Sequence, residues 1–255
     1  MNQASTPPLK GRRRLVAALA ALPAALGGAC TLRPLPPPDA EPADAAPNTM
    51  ALRPPRVGQS WTVRQRNLFN GETVATLTER LTAVGAGAAN GADSAGVCTL
   101  QRRGDDGRAR DDEVHDGWGR LRQDPAWEQT LQTEQPVPLW PQPLQTGPAT
   151  LLHTRYQVPG GSGWYPLQAW VRALRWERVT VPAGSFVALR VERLLRMGHP
   201  DPWRLETQRT DRLWIAPEVG RWVLRETSGR YLVPSDDRGS WMLEDHERWE
   251  LVAWR

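Results

Sequence analysis

From Val57 to Trp254 apolar residues tend to return at every second position, and clusters of Gly, Pro and Asn cut the chain into short runs. Period two places alternate side chains on opposite faces of a strand, whereas a helix needs apolar residues three and four apart. No segment joins that helical spacing to capping residues, so the expectation is antiparallel β structure. Trp61 to Phe69 and Thr73 to Val84 flank Asn70-Gly71-Glu72, a hairpin signal because Asn and Gly accept the positive φ of a tight turn. Val97 to Arg103 and Arg108 to Val114 form a weaker hairpin around Gly104-Asp105-Asp106-Gly107, after a Gly/Ala loop at 85–96. Five prolines between 124 and 147 leave little pattern there. That stretch reads as a crossing segment, with sub-halves at 57–147 and 148–255. Leu167 to Trp176, Glu177 to Val181, Phe186 to Leu195, Leu205 to Ile215, Arg221 to Glu226 and Trp241 to Trp254 complete about nine to eleven strands.

The chain before Val57 reads differently. Arg12, Arg13 and Arg14 open an apolar run, Leu15 to Ala29, that ends Leu26-Gly27-Gly28-Ala29-Cys30. A basic cluster, a short apolar stretch and a small-residue exit have the form of an export signal. The run is shorter than the roughly 20 residues that span a bilayer, and Pro23 interrupts it. Cys30 after the small residues resembles the acylated cysteine of a lipoprotein, which implies a diacylglycerol on its thiol and a palmitoyl-type chain on the new terminus. Thr31, where Asp would retain the protein at the inner membrane, resembles sorting to the periplasmic face of the outer membrane. Gly27 stands where the lipoprotein pattern wants an aliphatic residue, and Gly27 with Ala29 also satisfies ordinary signal cleavage, which would release a soluble periplasmic or secreted protein. A cytoplasmic protein is the third reading. Residues 1–29 are thus the expected signal peptide. Residues 30–56, with Pro36, Pro37, Pro38, Pro42, Pro47, Pro54 and Pro55, are the expected lipidated tether, extended and outside any ladder.

Charge excludes one class of function. The sequence pI is about 9.6, yet Lys10 and the three arginines of the signal account for the whole surplus. Removing those 4 from 32 basic residues leaves 28, against 28 acidic ones. The mature chain is formally neutral, so no net field draws it to nucleic acid. Thirteen Trp against five Phe and Tyr together point to a core built largely on indole rings, each wanting a partner for its N–H.

Residues 176–192, Trp-Glu-Arg-Val-Thr-Val-Pro-Ala-Gly-Ser-Phe-Val-Ala-Leu-Arg-Val-Glu, carry a resemblance. The Val-Pro-Ala-Gly-x-Phe turn before an alternating strand is similar to a signature of exported β-sheet proteins of Gram-negative bacteria that have no assigned activity. Trp214-Ile215-Ala216-Pro217-Glu218-Val219-Gly220 and the closing Trp249 to Trp254 look like that group's second turn and last strand. Val57-Gly58-Gln59-Ser60-Trp61, and Pro143 to Gly147 before Trp164, look like its strand starts. The likeness covers about half of the mature chain. It implies a strongly curved antiparallel sheet or half-barrel, and it implies no activity or cofactor. In the residues themselves Pro182 pre-sets a turn and Gly184 supplies φ > 0.

Catalytic chemistry finds little support. His115, His153, His199 and His246 are scattered without ligand spacing and read as solvated. Asp105, Asp106, Asp111, Asp112, Glu113 and Asp116 lack the alternation of a calcium loop and lie among arginines, so they read as a solvated hairpin tip. Cys98, in apolar surroundings, reads as an inert buried thiol. No nucleophile elbow, S-x-x-K or P-loop occurs. The expectation is a protein without catalytic activity, metal or cofactor, the rival being a secreted hydrolase with a site at the sheet mouth. Trp164, Trp170 and Trp176 share one parity, with Gln168 and Arg172 interleaved. Those rings and Arg172 are the expected ligand-binding set, lining a groove for an apolar envelope component. Docking onto another envelope protein and a purely structural accessory role are the alternatives.

Overall fold

A computed structural model describes residues 35–47, 51–85, 96–127, 129–161, 163–234 and 239–255. Cys30, the signal peptide and most of the 85–96 loop lie outside them. Among the described residues there is no helix, and none long and apolar enough to cross a membrane. Thirteen strands form one antiparallel sheet: β1 (Ala40–Pro42), β2 (Ser60–Asn67), β3 (Thr73–Val84), β4 (Val97–Gly104), β5 (Ala109–Asp116), β6 (Arg120–Asp124), β7 (Leu131–Pro138), β8 (Thr150–Gln157), β9 (Tyr165–Val181), β10 (Gly184–Met197), β11 (Glu206–Ala216), β12 (Arg221–Val233) and β13 (Ser240–Trp254). Strands β2 to β13 run up and down in chain order, and β13 pairs with β2 while β8 pairs with β9. The sheet is therefore a closed 12-strand barrel with β1 added, rather than the expected half-barrel of nine to eleven strands.

The additional strands come from two places where the sequence pattern misleads. Residues 124–147 do not cross between sub-sheets: β7 lies within them, and with β6 just before and β8 just after it completes the ring. Register shifts interrupt β5–β6 and β6–β7, and the inward positions include Asp124 and Thr133, so the apolar alternation that marks a strand is missing. The other place is the tether. Ala40, Glu41 and Pro42 pair with Val179, Arg178 and Glu177 of β9. The Thr180 amide donates to the Asp39 carbonyl at 2.9 Å and the Ala43 amide to the Trp176 carbonyl at 3.1 Å, so the ladder makes no demand on Pro42 for a donor.

A ring of this size encloses more space than small aliphatic side chains fill. Trp61, Trp140, Trp214, Trp222, Arg193, Arg221 and Arg225 are its largest fully buried side chains. Arg193 on β10 binds Asp211 on the neighbouring β11 and reaches Asp124 on β6, four strands away in the ring, at 2.7 Å. Arg225 joins Asp211 at 2.9 Å. A second set links Arg221 to Glu79 and, at 2.9 Å, to Glu113, which His115 contacts at 2.8 Å. Burial alone would raise the pKa of Glu113 and Asp124. Arg221 beside the first, and Arg225 and Arg193 beside the second, outweigh it and hold both below the usual carboxylate range.

The two ends differ. At the end carrying the β5–β6, β9–β10 and β11–β12 turns, the β7–β8 connection packs Leu139, Trp140 and Leu144 into the apolar core. Trp118 stacks on Trp61 at 6.0 Å, and its indole N–H donates to the Gly220 carbonyl at 2.7 Å. That end is closed.

Val181-Pro182-Ala183-Gly184 is the tight reversal expected, with Gly184 at φ 132°. Because a β-branched side chain resists positive φ, Gly184→Val should cost about 1 kcal/mol or more. Urea denaturation with an unchanged m-value checks this, and an unaltered midpoint would contradict it.

Candidate functional site

The opposite end carries the β2–β3, β4–β5, β6–β7, β8–β9, β10–β11 and β12–β13 connections and opens into a cavity of about 890 Å³. Its wall combines rings (Phe69, Trp127, Tyr231, Trp249), arginines (Arg102, Arg110, Arg204, Arg209) and carboxylates (Asp111, Glu244, Asp245, Glu247). The size lies within the range of small-molecule sites.

Three strands position its most buried cation. Arg209 of β11 is 3% exposed and is paired in register with Gly229 of β12. A Cβ at Gly229 would collide with the Glu244 carboxylate, so glycine there lets Glu244 lie over the strand. Glu244 then takes a fork from Arg209, Nε at 2.7 Å and Nη2 at 3.1 Å, and a third bond from Arg204 at 3.1 Å. The Arg209 guanidinium lies 4.8 Å from the centre of the Trp127 ring. Its Nη1 and the Trp127 Nε1 are buried donors without a partner. Such groups cost free energy until an acceptor meets them.

The rest of the wall is more fully paired. Arg102 bonds Glu79 and the Pro125 carbonyl, each at 3.1 Å, and its guanidinium lies 5.5 Å from the Trp249 ring. Thr130 donates to Asp111. Glu247 is pushed above the usual carboxylate range. Burial is the main cause, Asp245 adds to it, and a hydrogen bond with Gln65 opposes it. Trp249 Nε1 is likewise a buried donor without a partner among the described residues, so the site can offer three donors and several ring faces to an acceptor-bearing ligand.

The residues expected to bind lie elsewhere. Along β9 the inward parity is Leu167, Ala169, Val171 and Ala173, all buried. Trp170 and Arg172 occupy the outward parity, Trp170 half-buried and Arg172 exposed. Trp170 is flanked by the exposed Leu151 and Leu194 on the paired strands. Trp176 packs against the apolar core, and Trp164, 43% exposed, precedes β9 with Arg155 at 6.0 Å from its ring. These four residues do not line one groove: the concave face belongs to the other parity. Cys98 is fully buried and free, its thiol pushed up to about 11 by burial, as an inert core cysteine should be. His115 departs from its expected solvation. It is fully buried, and because its Nδ1 accepts from the Gly119 amide at 3.2 Å, its Nε2 donates to Glu113. Of the acidic cluster, Asp106 pairs with Arg110 at the hairpin tip, whereas Glu113 lies in the core. No group of three or more potential metal ligands occurs among the described residues.

Sequence reasoning missed Arg209, Trp127, Glu244 and Glu247. One signal was available: Arg193 keeps the parity of Val191 and Leu195, and Arg209 and Asp211 keep that of Leu213. Charges on an apolar parity point into a barrel.

No protein-family model and no curated protein matches this chain. Two solved structures are similar to it. One is a "putative lipoprotein" from Parabacteroides distasonis ATCC 8503, 11% identical, covering 79% of this chain and 97% of its own length at a TM-score of 0.49. The other is a "putative exported protein with YmcC-like fold" from Bacteroides fragilis NCTC 9343, 13% identical, covering 80% and 99% at a TM-score of 0.49.

Because the Glu247 pKa is raised, its favourable contribution is complete below the unfolded carboxylate range. It is lost as pH rises through the folded value. Glu247→Gln should therefore raise the melting temperature near about pH 7 and change it little near about pH 4. Thermal scans at both pH values test this, and equal shifts would contradict the assignment.

Proposed function

We propose that the mature chain is a lipid-anchored protein of the cell envelope, at the periplasmic face of the outer membrane. In this reading it has no catalytic activity, and the cavity at its open end binds an amphipathic envelope component. The unpartnered donors Arg209 Nη1 and Trp127 Nε1 on the cavity wall carry the binding part of this reading. They suit an acceptor-bearing, anionic head, while Phe69, Leu77, Tyr231 and Leu243 offer contact to an apolar part. A purely apolar ligand would leave the donors unsatisfied. The export and anchoring parts rest on Arg12 to Arg14, the run Leu15–Ala29 and Cys30.

Against the hydrolase alternative, both oxygens of Glu244 are engaged by arginines and Asp111 is bonded by Thr130. The remaining pair, Asp245 and Glu247, comes from one strand and so from one side of the cavity. Glycoside hydrolysis uses carboxylates that flank the bond from two sides. Docking onto another envelope protein draws on a different surface, the outward patch of Trp170 between Leu151 and Leu194.

Two experiments test the proposal. Cys30→Ala should move the protein from the membrane pellet to the soluble fraction, and intact mass should show the acyl chains lost. Membrane association that survives a salt and carbonate wash would remove the anchor. For the cavity, dodecyl phosphate below its micellar concentration should quench or shift tryptophan fluorescence, and dodecanol should bind more weakly. Arg209→Gln should weaken dodecyl phosphate binding about tenfold, the loss of one charge-assisted hydrogen bond. Equal affinities for the two amphiphiles, or an unaffected variant, would overturn the binding site.

A further inference from the structure

Thirteen large apolar side chains are exposed on the described surface, and they are not spread evenly. Val57, Val97 and Val252 lie toward the closed end, and Leu151 and Leu194 on the outer wall. The other eight, 13 less 5, all lie at the open end. They are also larger: three are Trp, and Trp203 and Leu243 are 69% and 70% exposed. Exposed apolar surface concentrated in this way marks a contact surface.

Within that set Phe69, Trp203, Leu205, Trp241, Met242 and Leu243 form one arc. They come from the β2–β3, β10–β11 and β12–β13 connections and the adjoining strand start, and β11, β12, β13, β2 and β3 are successive in the ring. The Leu205 amide donates to the Leu232 carbonyl at 2.8 Å, and Leu232 faces Trp241 across the ladder. Tyr231 faces Met242, and Phe69 sits edge-on to His246 of β13 at 5.7 Å. Two arginines stand over rings of this arc or beside it, Arg230 at 4.4 Å from the Trp241 ring and Arg204 at 4.2 Å from the Tyr231 ring. Indoles with cations beside them are the side chains that settle at a lipid headgroup boundary.

The chain reaches the barrel at the same place. The Leu35 amide donates to the Leu68 carbonyl at 3.1 Å, one residue before Phe69. Leu35 is the first described residue of the chain, so the described chain enters the barrel beside the arc.

We propose that the open end is a membrane-contacting face, its apolar arc seated in the surface of a phospholipid bilayer so that the cavity opens toward lipid. The placement of the anchor rests on the function proposed above, whereas the arc itself does not. The occupant is a lipid surface, because the arc combines exposed interfacial rings with arginines laid over them. On this view an amphipathic ligand passes between bilayer and cavity without crossing water.

The test uses the full mature protein with Leu243→Cys or Val57→Cys, each labelled with the polarity-sensitive probe NBD. The buried Cys98 thiol should not compete. Phosphatidylethanolamine–phosphatidylglycerol vesicles should blue-shift the probe at 243, and doxyl-labelled lipid should quench it. The probe at 57 should stay aqueous. An aqueous probe at 243, or equal shifts at both positions, overturns the proposal. A concentration-dependent shift at 243 without vesicles overturns it in favour of a second copy of the chain. Intact mass of the same sample reports acylation separately. A sample without acyl chains is scored by the same probes on the Cys30→Ala background, so failure of the anchor and failure of the membrane face remain distinguishable.

Discussion

The interior of a twelve-strand ring has to be filled, and in this protein much of it is filled by charge. Arg193, Asp124, Asp211 and Arg225 meet in the middle of the barrel, and Glu79, Arg221, Glu113 and His115 form a second group. Withdrawing each ion from water costs several kcal/mol, offset only when every charge finds close partners. Some of those partners are neighbours, as Asp211 is to Arg193 and Arg225, but Arg193 and Arg225 also reach Asp124 of β6, and Arg221 of β12 reaches Glu79 of β3 and Glu113 of β5. The bonds thus behave as struts: they fix the width of the ring where aliphatic packing could not reach across. Losing one partner of such a set typically costs about 3–5 kcal/mol, because the remaining charges stay buried.

Once the width is fixed, the two ends can differ. The β7–β8 connection turns into the barrel and sets Trp140 edge-on to Trp118, which stacks on Trp61, so one end becomes an apolar plug. Among the described residues the other end has no equivalent. Its wall keeps the ion-pair habit of the interior, but Arg209, Trp127 and Trp249 each retain a donor without a partner among the described residues. Gly229 contributes by omission, since the missing Cβ is what lets Glu244 reach Arg209.

Much of the fold was legible where strands carry an ordinary apolar face. The hairpin about Asn70-Gly71, the turn at Gly184 and the closing strand through Trp254 all appear with nearly the expected bounds. Legibility failed where charge replaces that face. A polar inward position looks like solvent in a one-dimensional pattern, so β6 and β7 passed as loop and the half-ring was not closed. The same ambiguity affects the tryptophan set. Trp170 was chosen because Gln168 and Arg172 flank it, and that reasoning correctly found a partly wet surface, but on the outer wall. The actual cavity draws on the β2–β3, β6–β7, β10–β11 and β12–β13 regions, whose convergence depends on ring closure and leaves no mark on any single segment.

Strand β9 is 17 residues long, but β8 pairs with only its first part. Beyond Val171 its outer edge would present bare amides and carbonyls, the template on which sheets of separate molecules join. Ala40–Pro42 lies along that edge. That short strand is therefore a guard against aggregation. Proteolytic loss of β1 would uncover that adhesive edge, so a single cut would convert a guarded barrel into one prone to self-association.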